Sequence, residues 1–409
     1  MRRQQSSESQ LLLAPPKSGP PSSGLVGWLV GACCACALLA LFGHSLWWQS
    51  IGLREAREEQ ERLQFVLEKE APKVGAEGAR LFRSEAEFGG AQLEQAGREF
   101  DRAPSTGGHR QASSFQGVRR NVIKCGGAKR RSGKRRRLIV VVNSAPGNRK
   151  RRALLRSDWL KRASLRAKLC QRNQSAGRGF GELEFWFALG TGGCGPAELE
   201  AIREEEAESG GDLLLLDQLQ DNYRNLTTKH LAIFNWLLEQ NERHLDQVAL
   251  LKSDDDARLA LDQWLDELEL GATDSPGRSG GELLCARFPA HSPVCRRRAC
   301  KWRLSRAEWP YDTFPEYCSG LAYAASSLRV VRNLWLANRL LERAKGKDNK
   351  LLWIDDVHVT GLLRASLQAG SVRPQLVALN GRFCYSRAQW LARAQLGQAC
   401  LAAEVALEE

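Results

Sequence analysis

Five consecutive apolar residues, Leu138-Ile139-Val140-Val141-Val142, follow directly on the basic cluster Lys134-Arg135-Arg136-Arg137. A strand that is apolar at every position has no face to give to water, so it must be covered on both sides. That requirement points to a parallel sheet between two helical layers. The residues downstream agree with it. The turn 143–148 leads into a helix predicted from about Arg149 to Lys168. Strands are predicted at 184–189, 212–216 and 247–252, with helices at about 196–208 and 227–239 between them. Strands alternating with helices give an α/β fold with a doubly wound, mostly parallel sheet.

Before this domain the chain is of a different kind. Leu25 to Trp48 is a run of 24 residues broken only by His44 and Ser45. As a helix it would span about 36 Å, enough for a hydrocarbon core of about 30 Å. Trp28 and the pair Trp47-Trp48 sit where an aromatic belt belongs. A cleavable signal peptide is the competing reading, since Ala35-Cys36-Ala37 resembles a cleavage site. The expected organisation is a tail (1–24), a membrane signal-anchor (25–48), a flexible stem (49–137) and a globular domain (138–409).

Composition excludes several classes. With 43% hydrophobic and 26% charged residues, the 409-residue chain is not wholly disordered, collagenous or a polytopic membrane protein. The net charge of +13 admits nucleic acid, membrane surface or an acidic polymer as partner, and does not choose. The 6 histidines show no H-E-x-x-H and there is no G-x-S-x-G, so zinc-protease and hydrolase readings have no support. Of 12 cysteines, nine follow the apolar run without zinc spacing, which suits disulfides in an oxidising lumen and leaves at least one thiol over. The sequons at Asn173 and Asn225 agree with a lumenal side.

Two acidic strand ends are the candidate site. In Val248-Ala249-Leu250-Leu251-Lys252-Ser253-Asp254-Asp255-Asp256 an apolar strand ends in three carboxylates. Ligands of open α/β sheets sit at such carboxyl ends. Adjacent carboxylates there call for a cation, and hard oxygens suit Mg²⁺ or Mn²⁺ on a diphosphate. The alternative is a solvated turn, or a cap on a helix expected at 257–268. A second acid pair, Asp355-Asp356, ends Leu351-Leu352-Trp353-Ile354 ahead of a helix at 361–368. One of its acids could accept the proton of an acceptor hydroxyl, or merely cap the helix. Gly190-Thr191-Gly192-Gly193-Cys194-Gly195 matches the dinucleotide fingerprint, but its helix carries Glu198, Glu200 and Glu204-Glu205-Glu206. Such a helix is a poor neighbour for pyrophosphate, and a structural glycine turn is preferred.

Taken in order, these blocks resemble the Golgi β-1,3-galactosyltransferase family, inverting nucleotide-sugar transferases of GT-A type with a D-x-D motif. The residues that carry the resemblance are Val142-Asn143-Ser144-Ala145-Pro146 with Arg151, Arg152, Arg156 and Trp159; Asp221-Asn222-Tyr223 through Lys229; Lys252 to Asp256; Lys301-Trp302; Pro315 to Gly320 with Tyr323; and Ile354 to Val357. They cover about Leu138 to Tyr385. Phe187 to Cys194, Gly211 to Leu216 and Asp262 are most similar to the branch that builds the proteoglycan linkage region.

The resemblance implies a GT-A-like sheet and a single-pass type II protein of the Golgi membrane, with its catalytic domain lumenal. It implies transfer of galactose from UDP-galactose, or another UDP-sugar, to a glycan acceptor such as Galβ1-4Xyl, and no nucleic acid partner. Asp254 and Asp256 would hold Mn²⁺ (or Mg²⁺). Arg152, Arg156, Lys252, Asp254 and Asp255 would bind the donor, and Trp302, Tyr317, Gly320 and Tyr323 the acceptor. Asp356 would be the base, supported by Asp355. Two departures stand out. Tyr385 occupies the place of a late metal-binding His, which His358 or a water would have to replace. Ser319-Gly320-Leu321-Ala322-Tyr323 stands for a more glycine-rich stretch. A non-catalytic glycan-binding family member, an N-acetylhexosaminyl transferase and a dinucleotide oxidoreductase are the alternatives.

Overall fold

A computed structural model describes residues 88–102, 110–111, 121–124, 136–159, 165, 169–170, 179–271, 281–345, 351–369, 371–385, 389, 393 and 400–404. The apolar run 25–48, most of the stem and Asn173 lie outside these residues. Among the described residues no helix is long and apolar enough to cross a membrane.

The strands in chain order are β1 (Arg110–Gln111), β2 (Val122–Lys124), β3 (Arg136–Asn143), β4 (Phe180–Gly190), β5 (Leu213–Leu216), β6 (Val248–Asp254), β7 (Ala257–Leu259), β8 (Glu282–Phe288), β9 (Ser292–Pro293), β10 (Thr313–Phe314), β11 (Tyr317–Ala325), β12 (Gln375–Ala378), β13 (Phe383–Cys384) and β14 (Ala402–Glu404). The α-helices are α1 (Gly90–Arg102), α2 (Arg149–Trp159), α3 (Pro196–Ser209), α4 (Leu226–Asn241), α5 (Leu261–Gly271) and α6 (Leu328–Lys345). A π-helical stretch runs over Val357–Leu363.

The main sheet has the order β1-β5-β4-β3-β6-β11-β8-β12, with β2 on the edge of β4. β5, β4, β3 and β6 are mutually parallel, β11 runs antiparallel between β6 and β8, and β12 is parallel to β8. The mostly parallel α/β sheet expected from the sequence is therefore present. β3 is central and buried on both faces, as its unbroken apolar run requires. Its period of two sends Ile139 and Val141 into one layer with Phe234 and Trp236 of α4 and Leu334 of α6. Leu138, Val140 and Val142 pack into the other with Leu155 of α2 and Trp264 of α5.

Three expectations change. The segment expected as a flexible stem, 49–137, contains α1, β1 and β2: Leu93 and Ala96 of α1 join the core, and β1 and β2 pair with β5 and β4. The helix expected at 257–268 is a turn at 255–256 followed by β7, and α5 starts only at Leu261. Asp256 therefore caps no helix. Helical structure near the second acid pair starts directly at the acids rather than at Gly361, with Asp356 as the cap of Val357–Leu363. The glycine run is a turn, as preferred. A Cβ on Gly190 would lie 2.6 Å from the Leu219 carbonyl oxygen and one on Gly192 2.8 Å from the Leu219 carbonyl carbon. Protein backbone fills the approach a phosphate would need, and the Glu198 carboxylate already accepts from the Gly195 N–H.

Disulfides join Cys285 to Cys318, Cys295 to Cys300 and Cys384 to Cys400, and Cys170 is also bonded. Cys194 is the free thiol among the described residues. The first bridge ties β8 to β11, the strand that delivers Gly320 to the site.

Candidate active site

β3 and β6 end side by side, with Asn143 paired to Asp254. Their carboxyl ends open into a cleft of ≈ 740 Å³. Asp254, Asp255, Asp256, Asp355 and Asp356 all line it, together with Trp302, Tyr317, Gly320 and Tyr385. The two acid clusters, a hundred residues apart in sequence, are thus one site: the first stands at the carboxyl end of β6, where open sheets bind ligands, and the second follows 351–354, which form no strand.

The three adjacent acids do different things. Asp255 is buried, and its two oxygens accept from Ser144 Oγ (2.6 Å), Asn148 Nδ2 (2.8 Å) and Arg151 Nη1 (3.1 Å). It fixes the loop after β3 rather than offering a free oxygen to a donor. Asp254 is half-exposed, accepting from Lys252 Nζ at 2.9 Å. Burial pushes its carboxyl up to about 6, with Asp355 and Asp256 adding to the push and Lys252 opposing it. Asp256 carries no hydrogen bond or ion pair among the described residues. No group of three or more His, Cys, Asp and Glu in metal-binding geometry occurs there either. The protein would therefore contribute two carboxylates, Asp254 and Asp256, to a hard cation whose other ligands come from diphosphate and water, a set that suits Mg²⁺ or Mn²⁺. The excess of negative charge around Asp254 fits such an ion. His358 does not complete the shell: it is buried, faces Asn338 Oδ1 at 3.3 Å and does not line the cleft.

At the other acid pair, the N–H groups of Gly320 (3.1 Å) and Val357 (2.8 Å) donate to the Asp356 carboxylate. Burial and the adjacent Asp355 carboxylate push Asp356 up to about 7, which the two N–H donors oppose. Asp355 moves the other way. Despite burial, the Lys252 ammonium (3.5 Å) and the His230 hydrogen bond (2.9 Å) hold it below the usual carboxylate range. Two neighbouring acids pushed apart in this way divide the work: one stays ionised, the other is a base poised near neutrality.

Behind Asp355 lies a buried chain that sequence reading did not find. His230 Nε2 is 2.5 Å from the Tyr323 hydroxyl and Nδ1 is 2.9 Å from Asp355. Burial lowers the His230 pKa and lifts that of Tyr323 well above its ordinary value. Neutral His230 then carries its proton on Nδ1, donating to Asp355 and accepting from the tyrosine. The sequence carried little signal, because His230 ends a polar run, Thr227-Thr228-Lys229-His230, that reads as an ordinary first turn of α4. Lys229 Nζ also bonds inward, to Ser144 O (2.8 Å) and Asp221 (2.7 Å), bracing the same loop.

Four residues expected to touch substrate are placed elsewhere. Arg152 is 0% exposed, gripped by Glu205 through Nε (2.8 Å) and Nη2 (2.6 Å), and donates to Ser144 Oγ and the Ala145 and Pro146 carbonyls. Arg156 is clamped on Asp212 and Glu205. Arg152 braces the loop 144–146 from behind, Arg156 ties Glu205 to Asp212, and the residue of that helix that lines the cleft is Arg151. Lys252 is buried behind the floor, and Tyr323 is 1% exposed in the core. Asn225 is partly exposed, its Nδ2 donating to the Gln220 carbonyl, while Thr227 of the same sequon is buried.

Comparison with known proteins identifies the family. Residues 150–374 match the family model described as Galactosyltransferase. A mouse protein, beta-1,3-galactosyltransferase 6, is 34% identical over 220 residues, 53% of this chain and 59% of its own length. Human beta-1,3-galactosyltransferase 5 is 32% identical over 146 residues, 36% of this chain and 43% of its own. A Xenopus laevis lactosylceramide 1,3-N-acetyl-beta-D-glucosaminyltransferase A is 26% identical over 220 residues, 52% of this chain and 50% of its own. The chain thus spans less than two thirds of the length of each of these relatives.

Proposed function

Because the chain belongs to the galactosyltransferase family, we propose that it transfers a hexose from a UDP-sugar to an acceptor hydroxyl with inversion. The donor proposed is UDP-galactose and the product a β-1,3 linkage. The observation that carries this reading is the split acid pair, with Asp356 near neutrality on the cleft wall and Asp355 held ionised behind it. The acceptor O–H proton passes to Asp356. The freed oxygen attacks the anomeric carbon from the face opposite UDP, forming the C–O bond as the bond to the diphosphate breaks with its electron pair. Asp254 and Asp256 would hold Mn²⁺ or Mg²⁺, which when bound neutralises charge on the departing diphosphate. Gly320 and Val357 aim the base through their N–H groups, and Trp302 and Tyr317 offer aromatic faces for the acceptor sugar.

The acceptor proposed is Galβ1-4Xyl of the glycosaminoglycan linkage region, supported by likeness to the mouse beta-1,3-galactosyltransferase 6. Transfer of N-acetylglucosamine is the second reading, favoured by the frog relative. A protein with three disulfides among the described residues, a further bonded cysteine at Cys170 and an apolar run at 25–48 suits the Golgi lumen, anchored by one helix. The test is UDP release from UDP-galactose, UDP-N-acetylglucosamine and UDP-N-acetylgalactosamine against Galβ1-4Xyl and β-linked Gal, GlcNAc and GalNAc acceptors, with and without Mn²⁺. Release that needs both UDP-galactose and Galβ1-4Xyl supports the reading. Release only from another donor replaces it, and none with any pair favours a non-catalytic glycan-binding role.

A further inference from the structure

The excursion between β8 and β11 forms one wall of the cleft, through Pro293, Cys295, Cys300, Lys301, Trp302 and Phe314. It is a built element. β9 pairs with β10 at its base, and Val294, Leu304, Trp309 and Phe314 form a small core with Leu352, Trp353 and Ile354. The Cys295–Cys300 disulfide staples its tip, and Arg296 turns inward to donate to the carbonyls of Leu304 (2.9 Å) and Trp309 (2.8 Å).

Its charge is lopsided. Residues 293–314 hold six basic side chains, Arg296, Arg297, Arg298, Lys301, Arg303 and Arg306, against two acids, Glu308 and Asp312. The acids are already matched, Glu308 by Arg224 and Asp312 by Arg306. Arg297, Arg298 and Arg303 are exposed and form no ion pair or side-chain hydrogen bond among the described residues. Lys301 Nζ sits 4.7 Å from the Tyr223 ring and 4.8 Å from the Trp302 ring, two exposed aromatics packed edge to face. None of the three free arginines is needed to hold the element together, yet they sit between and beside cleft-lining residues. The floor of the same cleft is acidic, so the rim presents the opposite sign.

We propose that this disulfide-stapled basic loop recognises negative charge carried by the acceptor, next to the sugar that packs against Trp302 and Tyr317. The proposal rests on the transfer reading above and specifies the acceptor class: glycoconjugates bearing phosphate, sulfate or carboxylate groups near the accepting saccharide. The three arginines act by charge steering and rim pairing, which favour the right partner and weaken with salt.

The experiment measures kcat/KM of the full chain for three acceptors. These are a neutral Galβ1-4Xyl glycoside, the same disaccharide with a phosphate or sulfate ester, and the neutral disaccharide on an acidic peptide. The wild type and the triple variant Arg297→Ala, Arg298→Ala, Arg303→Ala are compared at low and high salt. The expected result is an advantage of about tenfold, about 1.4 kcal/mol, for at least one charged acceptor at low salt. That advantage is lost in the variant while the neutral kcat/KM and the donor KM stay unchanged. Preference for the ester supports the proposal with the charge on the saccharide; preference for the peptide supports it with the charge on the carrier. Equal kcat/KM for neutral and charged acceptors overturns the proposal and leaves the transfer reading intact. A rise in donor KM in the variant also overturns it, because the loop then grips the diphosphate. Absence of turnover with every acceptor overturns both.

Discussion

Replacing Asp356 by Asn keeps the shape of the side chain and removes its ability to take a proton. Two effects of opposite sign follow. A positioned general base is worth about 10²–10⁴ in rate, so kcat should fall by that factor while donor binding changes little. Stability relative to the wild type should rise with pH. The folded protein holds the Asp356 carboxyl up to about 7 from an ordinary value of 3.8, mainly because it is buried beside Asp355. A group raised in this way contributes fully to stability below its unfolded pKa, and that contribution is lost as pH climbs through the folded one. About three units at about 1.4 kcal/mol each set a ceiling of about 4 kcal/mol for the cost of ionising it. Its carboxylate borders a water-filled cleft, so about 1–2 kcal/mol is the realistic share. For a domain of this size that is a rise in Tm of about 2–6 °C. Thermal melts of wild type and variant at pH 4, 6 and 8, beside kcat at pH 8, measure both. Asn offers one acceptor oxygen where the carboxylate offers two, so one of the Gly320 and Val357 N–H groups loses its partner, at about 1 kcal/mol at every pH. Relative to the wild type the variant should therefore gain stability between pH 4 and pH 8. Retention of kcat within a few-fold, or a stability difference that does not change with pH, would refute the assignment of Asp356 as a strained base.

For the wild type, kcat/KM should rise with pH through about 7, because the base form of Asp356 accumulates there; a profile flat from pH 5 to 8 would assign the proton to another group. Arg152→Ala takes from buried Glu205 one of its two guanidinium partners and leaves it Arg156, so a loss of about 3 kcal/mol, the low end for a broken buried pair, is expected in denaturant unfolding. A stable Arg152→Ala protein with a raised donor KM would instead restore Arg152 as a donor-binding residue. Tyr323→Phe strips His230 Nε2 of its donor at a cost of about 1–3 kcal/mol and should shift the pH profile by loosening Asp355. An unchanged profile would make the Tyr323–His230 chain purely structural.

Most of the parallel half of the fold was legible because its strands carry apolar runs, such as Leu138 to Val142 and Leu213 to Leu216, and end in turns that announce themselves. Val248 to Asp254 is the plainest case: a buried strand whose last residue enters the cleft. The antiparallel return of β11 was not, since Tyr317 to Ala325 has mixed polarity and owes its place to the Cys285–Cys318 bridge and to pairing with β6 and β8. The acids were legible as acids, yet sequence could not say that Asp255 turns back to Ser144 while Asp254 faces the cleft. Arg152 and Arg156 misled for a physical reason. A buried guanidinium with two buried carboxylate partners looks, in sequence, like one waiting for a nucleotide. Glu205 and Asp212 lie about 50 residues further on, and only folding brings them together. His230 was invisible because its role depends on Tyr323 and Asp355, each about a hundred residues distant.

The most direct measurement is the anomeric configuration of the product made from UDP-galactose and Galβ1-4Xyl, read by proton NMR for the wild type and for Asp356→Asn. A β-linked galactose on the 3-hydroxyl, formed by the wild type and absent with the variant, is the expected result. An α-linked product, or β-linked product formed equally by the variant, would contradict inversion driven by Asp356.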